Sequence, residues 1–221
     1  MLYARGGDGR RVSAVPGIQA ACPSCKSVVI AKCGDVVVHH FAHKSAEDCD
    51  RWSEGESDWH AGWKMRWAEE YREHVFGNRH RADVYSFGYV VELQHSGIGV
   101  AEIEEREAFY GKEAACGMVW LFDATEAVDG ERFRTEPEGP AGAPIQHNFF
   151  WFQSRKTIAA CRAPLFLDIG NGEVFHVRKF HPGPLTRGWG HILTAEEFVR
   201  RYTEPEPRPG MEAPADLFGA L

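Results

Sequence analysis

A chain of 221 residues with 43% hydrophobic and 12% aromatic residues can build a sizeable core, as one large domain or a modest domain with an appendage. Its formal net charge of −7 argues against gripping nucleic acid by bulk positive charge. It leaves room for an enzyme acting on nucleic acid, because acidic metal ligands add negative charge until a cation fills their site. No run approaches the roughly 18 consecutive apolar residues of a membrane span. The opening MLYARGGDGRR lacks the apolar stretch of a secretion signal, so a cytoplasmic location with no membrane partner is expected.

Residues 1–50 alternate short β-like runs with turns, and SVVIAKCGDVVVHHFAH reads as two strands about Gly34-Asp35. The same segment holds Cys22-x-x-Cys25, His43 and Cys49. Clustered cysteines in a cytosolic chain suggest metal before disulfides. Thiolates favour zinc, and four protein ligands leave no open position, so the expected Zn²⁺ is structural. Cys22, Cys25, His43 and Cys49 are the expected ligands, with His40 as the substitute imidazole. The competing reading is a reduced β-meander that holds no metal. Cys116 and Cys161 stand alone as small buried apolar residues.

Residues 53–77, SEGESDWHAGWKMRWAEEYREHVFG, read as one amphipathic helix. Ser53 and Glu56 have the form of a capping box, Trp59, Trp63, Trp67 and Tyr71 recur one turn apart, and Gly77 is placed to end it. HRADVYS and YVVELQHS follow as strands joined through Phe87-Gly88, then VAEIEEREAFYGKE as a helix and GMVWLFDA as a strand. That order makes an α/β unit whose last strand pairs back through a right-handed crossover. Beyond it, EAVDGERFRTEPEGPAGAP reads as an exposed loop or linker and NFFWFQ as a short strand. APLFLDIGNGEVFHVRKF reads as a hairpin, and TAEEFVRRY as a short helix with Thr194 as N-cap. A Pro-rich tail follows Thr203.

Chemistry concentrates on the hairpin. Glu92 and Gln94 share one face of their strand, and Asp83 can sit across from them. Apolar flanks at Val84, Val90, Val91 and Leu93 suggest strands covered on both sides, where unpaired carboxylates are expensive. Two converging carboxylates suit a hard cation, Mg²⁺ or Mn²⁺, with Asp83 and Glu92 as ligands. A solvated hairpin face is the bland counterpart. Glu56, His60 and Lys64 fall on one helical line, and Glu56 either assists catalysis or completes the capping box. Arg106 and Tyr110 either approach a phosphate or form a salt-bridged helix face.

Glu56 on a helix, Asp83 on a strand, Glu92-x-Gln94 on the next and Arg106-x-x-x-Tyr110 on the following helix, after CPSC and HFAH, together resemble the competence protein CoiA-like family, part of the PD-(D/E)xK, restriction-endonuclease-like nuclease superfamily. The resemblance runs from about Leu2 to Asp123. It implies an α/β (α+β) fold: a mixed sheet flanked by helices, with an N-terminal zinc-ribbon-like β module. The chain would divide into that module (1–50), a nuclease-like core (51–125), a β-rich extension (126–203) and a flexible tail (204–221). Gln94 stands where the superfamily usually carries lysine, and Lys64 is placed to supply the positive charge. The expected function is a divalent-metal-dependent nuclease acting on DNA, with Glu56, Lys64, Asp83, Glu92 and Gln94 in the catalytic set. The alternative is a nucleic-acid-binding adaptor on the same fold that has lost turnover.

Overall fold

The computed structural model describes residues 1–44, 49–52, 55–77, 79–139 and 146–203. Its N-terminal part is an antiparallel sheet of β1 (Tyr3–Arg5), β2 (Arg11–Ser13), β3 (Gln19–Ala21), β4 (Val28–Lys32) and β5 (His40–His43), in the order β2-β1-β3-β4-β5. The pair expected around Gly34-Asp35 is β4 and β5. Ala4, Ala20, Cys22, Val29 and Phe41 form its small core.

The 53–77 helix is much shorter than its periodicity suggested. α1 spans Asp58–Lys64, a 3-10 turn covers Glu69–Tyr71, and Arg72–Phe76 is strand β6. Ser57 is the N-cap, its hydroxyl accepting from the His60 amide, whereas Ser53 lies outside the described residues. Pairing of Arg72 with Val84 and Phe76 with His80 on β7 (His80–Ser86) overrides the one-turn aromatic spacing. The tryptophans still serve as core: Trp63 and Trp67 meet Phe198 edge to face.

β7 and β8 (Tyr89–Gln94) form the expected hairpin, with Phe87 and Gly88 both at positive φ, as a two-residue type I′ turn requires. α2 (Val100–Glu113) then leads to β9 (Gly117–Asp123), which runs parallel to β8. The stretch read as a linker is largely structured: α3 spans Thr125–Asp129 and β10 Phe133–Glu138, and its last five residues, 140–144, lie outside the described residues. Phe133 explains the strand, because it buries against Phe149 and Trp151 of β11 (Gln146–Phe152).

β12 (Leu165–Gly170) pairs parallel to β9, and β13 (Glu173–His181) returns antiparallel through Asn171 and Gly172. β14 (Leu185–Thr194), absent from the sequence reading, precedes α4 (Ala195–Thr203). Thr194 caps α4 as expected and exchanges bonds with Glu197 in a true capping box. The result is a mixed α+β architecture whose larger sheet has the order β10-β11-β14-β13-β12-β9-β8-β7-β6. Segments 51–125 and 126–203 both contribute strands to it. Among the described residues no helix is long and apolar enough to cross a membrane.

Candidate metal centre and acidic cavity

Two polar centres stand out, and the first is the cysteine cluster. The turn after β3 presents Cys22 and Cys25, β5 ends on His43, and Cys49 returns beneath them. One ligand atom from each of Cys22, Cys25, His43 and Cys49 falls within a 4.8 Å set. Cys22 and Cys49 sulfurs are 3.7 Å apart, and Cys25 Sγ is 3.4 Å from His43 Nε2. A tetrahedral ion with Zn–S near 2.3 Å and Zn–N near 2.0 Å places its ligands roughly 3.4–3.8 Å apart, so donor chemistry and spacing both fit zinc. Burial raises the Cys25 thiol, but hydrogen bonds from Ser27 and His43 outweigh it and bring it down to about 6. Burial beside the other thiols pushes Cys49 up to about 12, so closing the site on a cation means losing that proton. His40 instead bonds the Val38 carbonyl through Nδ1. Cys116 and Cys161 are partly buried against the two halves of the main core.

The second centre lies where α1, β6, β7, β8 and α2 meet. It is a polar cavity of about 20 Å³, lined by Glu56, His60, Lys64, Arg81, Asp83, Glu92 and Arg106 among others, room for about one water-sized body. Lys64 is 2% exposed. Its ammonium donates to both Glu56 oxygens and to Glu73 at 3.1 Å and lies 3.2 Å from Asp83 Oδ1. Burial alone would discharge this amine, yet Glu73, Asp83 and Glu56 hold its pKa above the usual lysine value. Asp83 accepts from the Leu93 amide at 3.0 Å, and the Asp83 amide lies 3.4 Å from Glu92 Oε1. Arg106 donates to Glu92 Oε2 at 2.7 Å and also reaches Glu102 and the Trp52 carbonyl. Burial, reinforced by the Asp83 carboxylate, still lifts Glu92 to about 7 against the pull of Arg106.

The sequence-derived set is therefore brought together except at one position. Glu56, Lys64, Asp83 and Glu92 share the cavity, while the Gln94 side chain, fully buried, donates to the Ser96 carbonyl at 3.1 Å. Glu56 does not cap a helix: it precedes α1, and its partners are Lys64 and the Met1 amine. Tyr110 is buried in the apolar core. Glu73 is an addition that the sequence reading missed. It lies on β6 at φ 53°, bonds Lys64, and accepts from the Leu2 and Tyr3 amides at 2.8 and 3.1 Å. Only recognition of β6 as a strand opposite Asp83 would have found it.

His60 links the cavity to a second histidine outside its lining. His60 donates from Nε2 to the Leu93 carbonyl at 2.8 Å, and its ring lies 6.2 Å from that of His95. His95 stacks beside Trp59 and bonds Asp123 Oδ2 through Nδ1 at 2.6 Å, and Asp123 is fixed in turn by the Thr125 amide and hydroxyl. The Asp123 carboxylate thus orients this half-exposed ring through Nδ1.

The family model described as "Competence protein CoiA, N-terminal domain" matches residues 19–51. That segment contains all four ligands of the cysteine cluster, and the match supports the CoiA-like resemblance there. No curated protein and no solved structure matches the chain.

Proposed function

We propose that the protein is a divalent-metal-dependent nuclease hydrolysing phosphodiester bonds, in DNA before RNA, on a restriction-endonuclease-like core. The observation that carries the reading is the meeting of Asp83 and Glu92 in a small polar cavity with Glu56 and Lys64. The order α1, β6, β7, β8, α2, β9 supports it, because it places Asp83 and Glu92 on adjacent antiparallel strands at one end of the sheet. Oxygen donors suit Mg²⁺ or Mn²⁺, and a cation there would share Asp83 with the Lys64 ammonium, 3.2 Å from its Oδ1. Asp83 and Glu92 would hold the cation, which would polarise the phosphate and acidify the attacking water.

The chain's own residues would do the rest. Lys64, locked as an ammonium, serves as a positive charge for the pentavalent phosphate and not as a base. Glu56 and Glu73 keep that ammonium in place. Gln94, whose amide cannot take a proton, is buried and turned to Ser96. The N-terminal module would hold a structural zinc.

The second reading, a nucleic-acid-binding adaptor without turnover, is favoured by the self-pairing of the cavity, where Lys64 and Arg106 already neutralise Asp83 and Glu92. One experiment separates them. Purified protein with Mn²⁺ is incubated with linear, circular and single-stranded DNA and with labelled RNA. Cleavage that Asp83→Ala and Glu92→Ala abolish supports the nuclease; intact substrates that still shift on a gel support the adaptor.

A further inference from the structure

The antiparallel strands β13, β14, β11 and β10 present two unlike faces. One buries Phe133, Phe149, Trp151 and Phe175 in the main core. On the other, register sets Arg134, Phe150, Arg187 and His181 in one cross-strand row and Glu136, Asn148, Trp189 and Lys179 in the next. Residues two apart on a strand share a face, so these rows belong to one surface. Arg134, Arg187, Lys179 and His181 are exposed, while Phe150 and Trp189 are partly buried with part of each ring open to solvent. The Arg134 guanidinium lies 5.1 Å over the Phe150 ring. α4 covers only the neighbouring end, through Phe198 in a cluster with Phe166, Val174 and Leu193.

Charge singles out the same region. In a chain of net charge −7, residues 133–194 hold seven basic residues (Arg134, Arg155, Lys156, Arg162, Arg178, Lys179, Arg187) against four acidic ones (Glu136, Glu138, Asp168, Glu173), with Glu136 3.7 Å from Arg134. An open sheet that interleaves cations with flat aromatic plates offers salt bridges to phosphates and stacking faces to unpaired bases. A duplex keeps its bases stacked inward, so the plates would have nothing to stack on. An acidic peptide would use the cations and leave Phe150 and Trp189 idle.

We infer that the β13-β14-β11-β10 face binds single-stranded nucleic acid, with Trp189 and Phe150 as stacking platforms and Arg187, Lys179 and Arg134 contacting phosphates. The face is tied to the acidic cavity's strand. Arg155, just after β11, donates to the carbonyls of Gln94, His95 and Ser96 at the end of β8 and of Asp123 at the end of β9. The inference rests on the nuclease reading for the fate of the bound strand, not for the binding itself.

The test is fluorescence anisotropy without added divalent metal, using labelled oligothymidylate, oligouridylate and a duplex of mixed sequence. The wild type is expected to prefer the single strands. Trp189→Ala should weaken their binding by roughly 5-fold to 100-fold, the worth of one stacked base, and Trp189→Phe should restore most of it. Arg187→Glu with Lys179→Glu should weaken binding further and lower the slope of log affinity against log salt by about 1.4, two phosphate contacts. Glu104→Gln, at an exposed position of α2 that is not part of this face, should leave binding intact. If both surface variants bind like the wild type at unchanged melting temperature, if the duplex binds more tightly than either single strand, or if anionic phosphatidylserine vesicles bind and the oligonucleotides do not, the inference is overturned. Intact binding with no cleavage under Mn²⁺ removes the nuclease reading and leaves this surface; cleavage that the surface variants do not weaken, with binding unchanged, does the reverse.

Discussion

Lys64 ties together three carboxylates from three parts of the chain: Glu56 before α1, Glu73 on β6 and Asp83 on β7. Removing one partner from a buried ionic group leaves charge with nothing to offset it, which costs more than the intact pair contributes. Lys64→Met should therefore lower unfolding stability by about 3–5 kcal/mol, read by urea denaturation, with recovery on adding Glu73→Gln because one orphaned charge is then gone. Lack of any recovery would mean that Lys64 matters for packing alone. His176 makes a second residue-scale case. It stacks on Phe166 at 4.2 Å, and burial, then Arg178, Arg201 and His191, push it down to about 4 from 6.5. A lowered folded pKa means that the unfolded chain binds the proton first. The contribution is complete above pH 6.5 and is lost as pH falls toward 4. After discounting for partial exposure, it should be on the order of 1–2 kcal/mol. His176→Asn should flatten the melting-temperature profile across that window; an unchanged slope would exclude His176 as its source.

At the scale of elements, close backbone approach decides where β13 and β14 meet. A Cβ at Gly190 would lie 2.1 Å from the His176 carbonyl oxygen and one at Gly188 2.0 Å from that of Lys179, so neither position has room for a side chain. Gly190→Ala should cost at least about 3 kcal/mol and unsettle the proposed binding face. Gly111→Ala, on α2 with open space around it, should instead be neutral or stabilise by up to about 1 kcal/mol. Calorimetry of the two variants checks the contrast. Element boundaries also show what the sequence could reveal. β7, β8, α2 and α4 carry their own signals, in alternation, in the Phe87-Gly88 turn and in the Thr194 capping box, and they fall where those signals put them. β6 does not. Trp67 keeps helical spacing with Trp59 and Trp63 past the point where α1 ends, because it packs with Trp63 on Phe198 from a distant helix, a demand that local periodicity cannot distinguish from helix continuation. The cysteine cluster was legible because ligand spacing is local; Glu73 was not, since its role depends on a strand pairing fixed only in three dimensions. β14, interrupted by Gly188 and Gly190, hides its alternation for the steric reason just given.

Across the whole molecule, the N-terminal sheet and the acidic cavity share bonds. Glu73 accepts from the Leu2 and Tyr3 amides while bonding Lys64, Arg72 donates to the Tyr3 hydroxyl at 2.7 Å, and the Val38 amide donates to Asp58 at the start of α1. The sheet that supplies Leu2, Tyr3 and Val38 has only a small core of its own around Phe41 and Val29, and a sheet so small needs a metal or a neighbour to hold its form. Zinc at Cys22, Cys25, His43 and Cys49 would thus hold one wall of the cavity as well as its own module. Cys22→Ser should reduce bound zinc, measured by elemental analysis, from about one equivalent, the number of four-ligand sites, to well below that. Hydrogen exchange at the Leu2 and Tyr3 amides should accelerate, because their acceptor on Glu73 remains while the strand that carries them loosens. Exchange at Leu167, in the centre of the larger sheet, should not change. If zinc is lost and Leu2 and Tyr3 keep their protection, the cavity holds the strand by itself and the metal is a local clasp; acceleration at all three amides would instead mean that the two sheets unfold as one cooperative unit.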